Sequence, residues 1–361
     1  MRHSQNHSAQ SLPVSPEAAR SLEGAEFSIS APIQELLQAC HLAAVRQCHA
    51  EVDAAVARMV TLTTDDSFDR FAICLCASAF YLERGDLERA ERFTLHGLRL
   101  RSRYHSADVE TLHLVGLVSN LALIYSDRGS FEQAIDLIRR AKTSLSGSAP
   151  RQRGVSAALD CNLALVCHNA GDTKTAGEIA LQALPELLPY APSLNVDLHA
   201  QTLAIACEAL GKEERFSECL ALWQQHLHLR DDWHCAASFF WFGMHAALAA
   251  FFSEDLEQSK AIASRIAEAA PNHEEGSLYP HAVCHLLRAL FSWKVGSVKP
   301  AQLHLAQAAG EMAHLGPEFQ TRLIDSATSL VEHAGVPADR KHSWGQFLKQ
   351  LRSTCNEAFR R

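Results

Sequence analysis

Two stretches of the chain read alike: NLALIYSDRGSFEQAIDLIRRA, from Asn120 to Ala141, and NLALVCHNAGDTKTAGEIALQA, from Asn162 to Ala183. Each opens on an apolar run at helical spacing, stops at a glycine and resumes at once with a second run. Gly129 and Gly171 stand where a helix end wants a residue in the left-handed conformation. Ser130 and Asp172 follow where the next helix wants an N-cap. The unit is a helical hairpin, and it recurs.

ERGDLERA turns at Gly85 and KVGSVKPA at Gly296. ALGKEERF turns less cleanly at Gly211, FSEDLEQS supplies an equivalent around Glu254, and HAGVPADR another at Gly335. Successive turns then lie 44, 42, 40, 43, 42 and 39 residues apart. A fixed period of this size with two helices per period predicts a stacked all-α solenoid of about eight helix-turn-helix units. Side-chain size follows the same period. Five residues after each turn stands Ala90, Ala134, Ala176, Ser259 or Ala301, and seven before it Ser78, Ala122, Ala164, Ala204, Ala247 or Ala289. Small residues at both places let paired helices approach closely.

The pattern N-L-A-x-x-Y…G-D/S-x-x-x-A…A resembles the tetratricopeptide repeat. Tyr81 and Tyr125 hold its aromatic place, and Cys167 and Cys207 replace it later. The period departs from the family's usual length of about 34 residues, which implies helices longer by a turn or two. Long units of this kind resemble the helical sensor modules of bacterial transcriptional activators, signalling cyclases and peptide receptors. The resemblance implies a right-handed superhelix over residues 31–338 that binds a protein or peptide in its concave groove.

Family geometry turns five positions of each first helix toward that groove, at 13, 10, 6, 3 and 2 residues before the turn. In this chain they read Ser119, Leu123, Ser126 and Asp127, then Cys161, Leu165, His168 and Asn169, then Gln201, Ile205 and Glu208. Trp241, Met244, Leu248, Phe251 and Phe252 come next, followed by Val283, Leu286, Leu290, Trp293 and Lys294. The groove expected is polar at one end and aromatic at the other. Trp241, Met244, Phe251, Phe252 and Trp293 suit a partner's anchors, or else are core. In SFFWFGMH, four adjacent aromatics cover too much of a helix for one stripe to hide. Phe242 is expected against the preceding hairpin, Phe239 within its own, and Trp241 in the groove. Asn120 and Asn162 suit the backbone of an extended ligand, because an amide donates and accepts. They suit equally a tie between neighbouring helices. The family's basic carboxylate clamp is absent, since Leu75, Ser119, Cys161 and Gln201 occupy its places.

Composition bounds the rest. The 361 residues are 47% hydrophobic but only 7% aromatic, and eleven cysteines show no CxxC pair. Reduced, mostly buried thiols in a cytoplasmic protein are expected. A net charge of −8 disfavours nucleic acid, and no apolar run has membrane-spanning length. No Gly-rich phosphate loop, nucleophile elbow or HExxH motif is present, so no enzyme and no cofactor are expected. His281 and His285, in HAVCH, stand one turn apart as zinc ligands would, but spacing offers no third or fourth ligand, and no metal is expected. Residues 1–30 read as a disordered tail. Residues 339–361 read as a basic amphipathic helix capping the stack. A regulator sensing a small-molecule or peptide effector, whose binding changes the curvature of the stack and a second protein interface, is the second functional reading, and a homo-oligomeric scaffold the third.

Overall fold

The computed structural model describes residues 29–45, 48–101, 113–144, 150–187, 196–227, 237–269, 278–294 and 297–313, with 342, 345, 346, 349 and 353 beyond them. The turn at Gly335 lies outside the described residues, as do all but the last two positions of the expected tail and most of the expected capping helix. Among the described residues every element is helical, in 14 α-helices and one π-helical turn.

The chain divides into two compact units, Met1–Thr202 and Leu203–Arg361. The first holds α1 (Ala31–Val45), α2 (His49–Leu62), α3 (Phe68–Glu83) and α4 (Leu87–Arg101). A π-helical segment, His113–Val118, runs into α5 (Ser119–Asp127), and α6 (Phe131–Ser144), α7 (Pro150–Asn169) and α8 (Thr173–Leu187) follow. The boundary falls within α9 (Val196–Lys212). The second unit continues with α10 (Phe216–His226), α11 (Ala237–Phe252), α12 (Leu256–Ala269), α13 (Leu278–Lys294) and α14 (Val298–Ala313).

Consecutive helices pack as antiparallel hairpins, α3 on α4, α5 on α6, α7 on α8, α11 on α12 and α13 on α14. In the first unit, α3 also packs on α5, and α5 on α7; in the second, α11 packs on α13. First helix thus meets first helix. The turns share one geometry. The N–H of Asp86 donates to Tyr81 O at 2.9 Å, Ser130 to Tyr125 O at 2.8 Å, Asp172 to Cys167 O at 3.0 Å and Asp255 to Ala250 O at 3.0 Å. This six-to-one bond closes a helix over a left-handed residue, here Gly85, Gly129, Gly171 and Glu254 at φ of 71°, 75°, 87° and 64°. Asp86, Asp172 and Asp255 then accept from Arg89, Thr175 and Gln258 N–H at 3.1, 3.1 and 2.9 Å, capping the next helix.

The fifth turn corrects the sequence reading. Gly211 lies inside α9 and is buried, while Glu214 takes the left-handed conformation at φ 59° and Arg215 N–H donates to Leu210 O at 2.9 Å. Measured between left-handed residues, the intervals from Gly129 to Glu254 become 42, 43 and 40 residues. The small-residue positions shift with the turn, to Cys207 and Cys219 in place of Ala204. Leu210 then holds the place that Cys207 was expected to share with Tyr81 and Tyr125. The packing rule is kept: Ser78, Ala122, Ala164, Cys207, Ala247 and Ala289, with Ala90, Ala134, Ala176, Cys219, Ser259 and Ala301, are all buried. In the pair α11–α12, Ser259 Oγ donates to Ala247 O at 2.6 Å, so the second helix lies against the first with only a hydroxyl between.

The two helices of a hairpin differ in character. Second helices are amphipathic; α6 buries Ala134, Ile138 and Ala141, at i, i+4 and i+7, and exposes Glu132, Gln133, Arg139 and Arg140. First helices are buried on more than one side, and α5 buries every residue but Tyr125. The tail expectation also shortens by two residues. Ile29 packs on the core of Phe68, Phe71, Cys74, Leu75, Leu100 and Leu117, and Ser30 binds Asp69 through its N–H at 2.8 Å and its hydroxyl at 2.6 Å.

Candidate functional site

The positions expected to line an open groove are mostly closed. Ser119, Leu123, Ser126, Asp127, Cys161 and Leu165 are buried in the first unit. So are Ile205, Glu208, Met244, Leu248, Phe251, Val283, Leu286 and Leu290 in the second. Six residues before four of the turns stands a buried leucine, Leu123, Leu165, Leu248 or Leu290. Leucines at one repeating position gain about 2 kcal/mol each by leaving water. They draw the side expected to be open into the core. Among the described residues of that surface, His168, Asn169, Trp241 and Phe252 keep partial exposure. Tyr125 does too.

Both asparagines act as ties. Asn120 Nδ2 donates to Ser78 Oγ at 2.7 Å, linking α5 to α3. Asn162 Nδ2 donates to Ser119 Oγ and to Ala158 O, each at 3.1 Å, linking α7 to α5. Asn169 repeats the link near the helix ends, its Nδ2 donating to Ser126 Oγ at 3.2 Å. At 3% exposure Asn120 and Asn162 present no amide to a ligand. Gln201, at 9%, is similarly withdrawn.

The aromatic stretch resolves into three sealed rings and one at the edge. Phe239, Phe240 and Phe242 are buried and Trp241 is half-buried. Phe242 meets Trp223 of the preceding hairpin, as expected, with ring centroids 5.1 Å apart. Phe239 meets the same indole at 5.8 Å and Phe240 at 5.7 Å, so it faces backward as well as within its own hairpin's helix. Gly243 makes the approach possible. A Cβ there would lie 2.8 Å from Ile266 Cδ1 and 3.3 Å from the Trp223 ring.

The expected five-member anchor patch is therefore smaller. Met244 at 2% and Phe251 at 6% exposure are core, and the Trp293 side chain lies outside the described residues. Phe251 packs on Phe291 at 6.0 Å, and Phe252 on Phe216 at 5.9 Å. Trp241 and Phe252 remain at the surface.

Beside Trp241 is an arrangement that the groove positions did not reveal. Trp241 Nε1 donates to His245 Nε2 at 2.6 Å, and the same Nε2 stands 3.6 Å from Glu208 Oε2. Lys212 Nζ holds the other carboxylate oxygen at 2.9 Å. An indole nitrogen only donates, so His245 Nε2 accepts and the ring's proton sits on Nδ1. The Trp-x-x-x-His spacing was a visible signal, because residues four apart share a helix face. Glu208 was misplaced by the Gly211 turn; with the turn at Glu214 it stands six residues before it.

His281 and His285 are half-buried, and His285 stacks on His304 with centroids 5.7 Å apart. Among the described residues no three His, Cys, Asp or Glu side chains converge as a metal site. The nine described cysteines are free thiols. Burial pushes Cys40, Cys74, Cys76 and Cys161 up to about 12 and Cys284 up to about 11. Burial and the neighbouring Cys219 raise Cys207 as well. Thiols held protonated this way are packing groups rather than nucleophiles.

No helix among the described residues is long and apolar enough to cross a membrane. No protein-family model matches the chain, and no curated protein matches it at a significant level.

Proposed function

We propose that this chain is a tetratricopeptide-like right-handed solenoid and that it works as a cytoplasmic binding module for a protein or peptide partner, in bacterial regulation or signalling. The observation that carries the reading is the repeated hairpin, closed by the same left-handed turn and joined first helix to first helix. Each such hairpin cannot bury its apolar flanks alone, and stacking them generates extended surface in excess of what a core requires. A rigid, periodic surface is suited to recognition. The contact residues assigned by this reading are the ones with remaining exposure, taken unit by unit: His168 and Asn169 in the first, Trp241 and Phe252 in the second. Aromatic side chains flanked by polar groups supply anchors at small entropic cost.

Affinity capture from a cell extract, followed by mass spectrometry, tests it. Wild-type protein is expected to retain a partner that Trp241→Ala and Phe252→Ala lose while their melting temperatures hold. Equal capture by wild type and both variants overturns the assignment.

One observation favours the second reading, a ligand-sensing regulator. Polar groups stand along the inward positions: Ser119, Ser126 and Asp127 in the first unit, Glu208 and His245 in the second, all buried. Within either unit, buried polar groups suit a small polar effector better than a protein chain. Its signature is a rise in melting temperature with small-molecule extracts. A ligand at a hundredfold excess over its dissociation constant adds about 2.7 kcal/mol.

A further inference from the structure

We infer that Trp241, His245 and Glu208 form a proton-operated switch, in which protonation of His245 exchanges its Trp241 hydrogen bond for an ion pair with Glu208 and releases the indole. The switch needs no bound partner and depends on which nitrogen can donate. In the observed geometry the indole N–H points its hydrogen at His245 Nε2, 2.6 Å away, and that nitrogen must offer a lone pair. When a proton from water occupies Nε2, the two N–H groups face each other as donors and the bond is lost. The new N–H lies 3.6 Å from Glu208 Oε2, a gap that a small side-chain rotation closes. The imidazolium and the carboxylate then attract across a site where both side chains are nearly dry, at 3% and 10% exposure. Trp241 is half-buried, so part of the side chain already meets solvent.

The charged surroundings are mixed. From α9 come Glu208 and, on its far oxygen, Lys212. The Lys212 ammonium on that oxygen partly offsets the pull of Glu208 on the imidazolium. α10 carries buried His226 and Cys219 and exposed Glu218. α12 keeps Glu257, Lys260, Arg265 and Glu268 on its exposed side. α13 carries half-buried His281 and His285, buried Cys284 and exposed Arg288. The chain has 20 histidines, a residue type whose charge can change near neutral pH, and the test must separate His245 from the rest.

The indole N–H signals of the full-length protein, labelled with 15N at its five tryptophans, make that separation. Trp241→Phe identifies the Trp241 signal, and the wild-type spectrum is followed down through the histidine range. The Trp241 signal is expected to move upfield in one reversible step as its hydrogen bond breaks. In His245→Gln, whose amide oxygen accepts the same bond but does not titrate, the signal is expected to stay fixed. In Glu208→Gln the step is expected at lower pH, since the carboxylate no longer favours the imidazolium. A signal that does not move in wild type overturns the switch. So does a step that persists in His245→Gln, or one whose midpoint is unchanged in Glu208→Gln. Joint collapse of all five signals reports unfolding instead of a local exchange, and it too overturns the switch.

Discussion

Asn120 and Ser78 stand 42 residues apart in sequence and 2.7 Å apart in space, the amide of one donating to the hydroxyl of the other. The Ser78 hydroxyl donates in turn to Leu75 O at 2.8 Å, so a buried chain of hydrogen bonds runs from α5 into the backbone of α3. The same step recurs between Asn162 and Ser119. A hydrogen bond in a dry interface is satisfied in one register only. These asparagines fix how far the α5–α6 hairpin slides on α3–α4 and the α7–α8 hairpin on α5–α6.

Removing the amide therefore costs more than one average hydrogen bond. Asn120→Ala leaves Ser78 Oγ without its donor and opens a void at a site nearly closed to water. The expected loss is about 1–3 kcal/mol, read from the denaturation midpoint with the slope unchanged. A loss no larger than that of an exposed substitution such as Gln133→Ala would show that the tie contributes little.

The turns make an opposed pair of predictions. Gly171 sits at φ 87° with nothing within 4 Å of where a Cβ would stand, so Gly171→Ala meets only backbone strain. It should destabilise by about 1–2 kcal/mol. Glu214 already carries that strain at φ 59°, and Glu214→Gly should stabilise by about 1 kcal/mol. Thermal melts of the two variants should move in opposite directions. If Gly211→Ala is the more harmful change, the fifth turn is at Gly211 after all.

Close approach within hairpins sets a third. Ala134 is fully buried five residues after its turn. Ala134→Leu forces α6 away from α5 and should cost about 1–3 kcal/mol. Leucine at Gln133, on the exposed side of the same helix, should be close to neutral. Comparable melting temperatures for the two would remove the size rule.

The thiols supply the fourth. Burial holds Cys40, Cys74, Cys76 and Cys161 protonated far above neutral pH. Cys48 is half-buried. A maleimide applied to native protein and mapped by mass spectrometry should reach Cys48 first among these five, and all five equally in denaturant. Early labelling of Cys161 or Cys76 would mean that the first helices open readily.

The hairpins were legible in the residues because their signals are local. A glycine that must adopt positive φ, an aspartate three residues before the N–H it caps, and an alanine one helix turn from each all lie within a dozen positions of one another. The fifth turn escaped because a glycine, Gly211, stands three residues before Glu214, the residue that takes the left-handed conformation. Backbone propensity favours glycine, but the phase of buried side chains along α9 places Cys207 against Cys219 and so selects Glu214. The anchor patch was misjudged for a related reason. The pattern shows which residues share a helix face, not what the next hairpin puts against it.

By itself, the amino-acid order determined the helices, their pairing, their period and the small residues at each crossing, since these follow from backbone stereochemistry and side-chain size. Tertiary structure alone decided that Asn120 and Asn162 tie helices together, that Met244 and Phe251 are core, and that Trp241 leans on His245 beside Glu208. Burial and hydrogen-bond partners are set by chain segments tens of residues away, and a helical period carries no record of them.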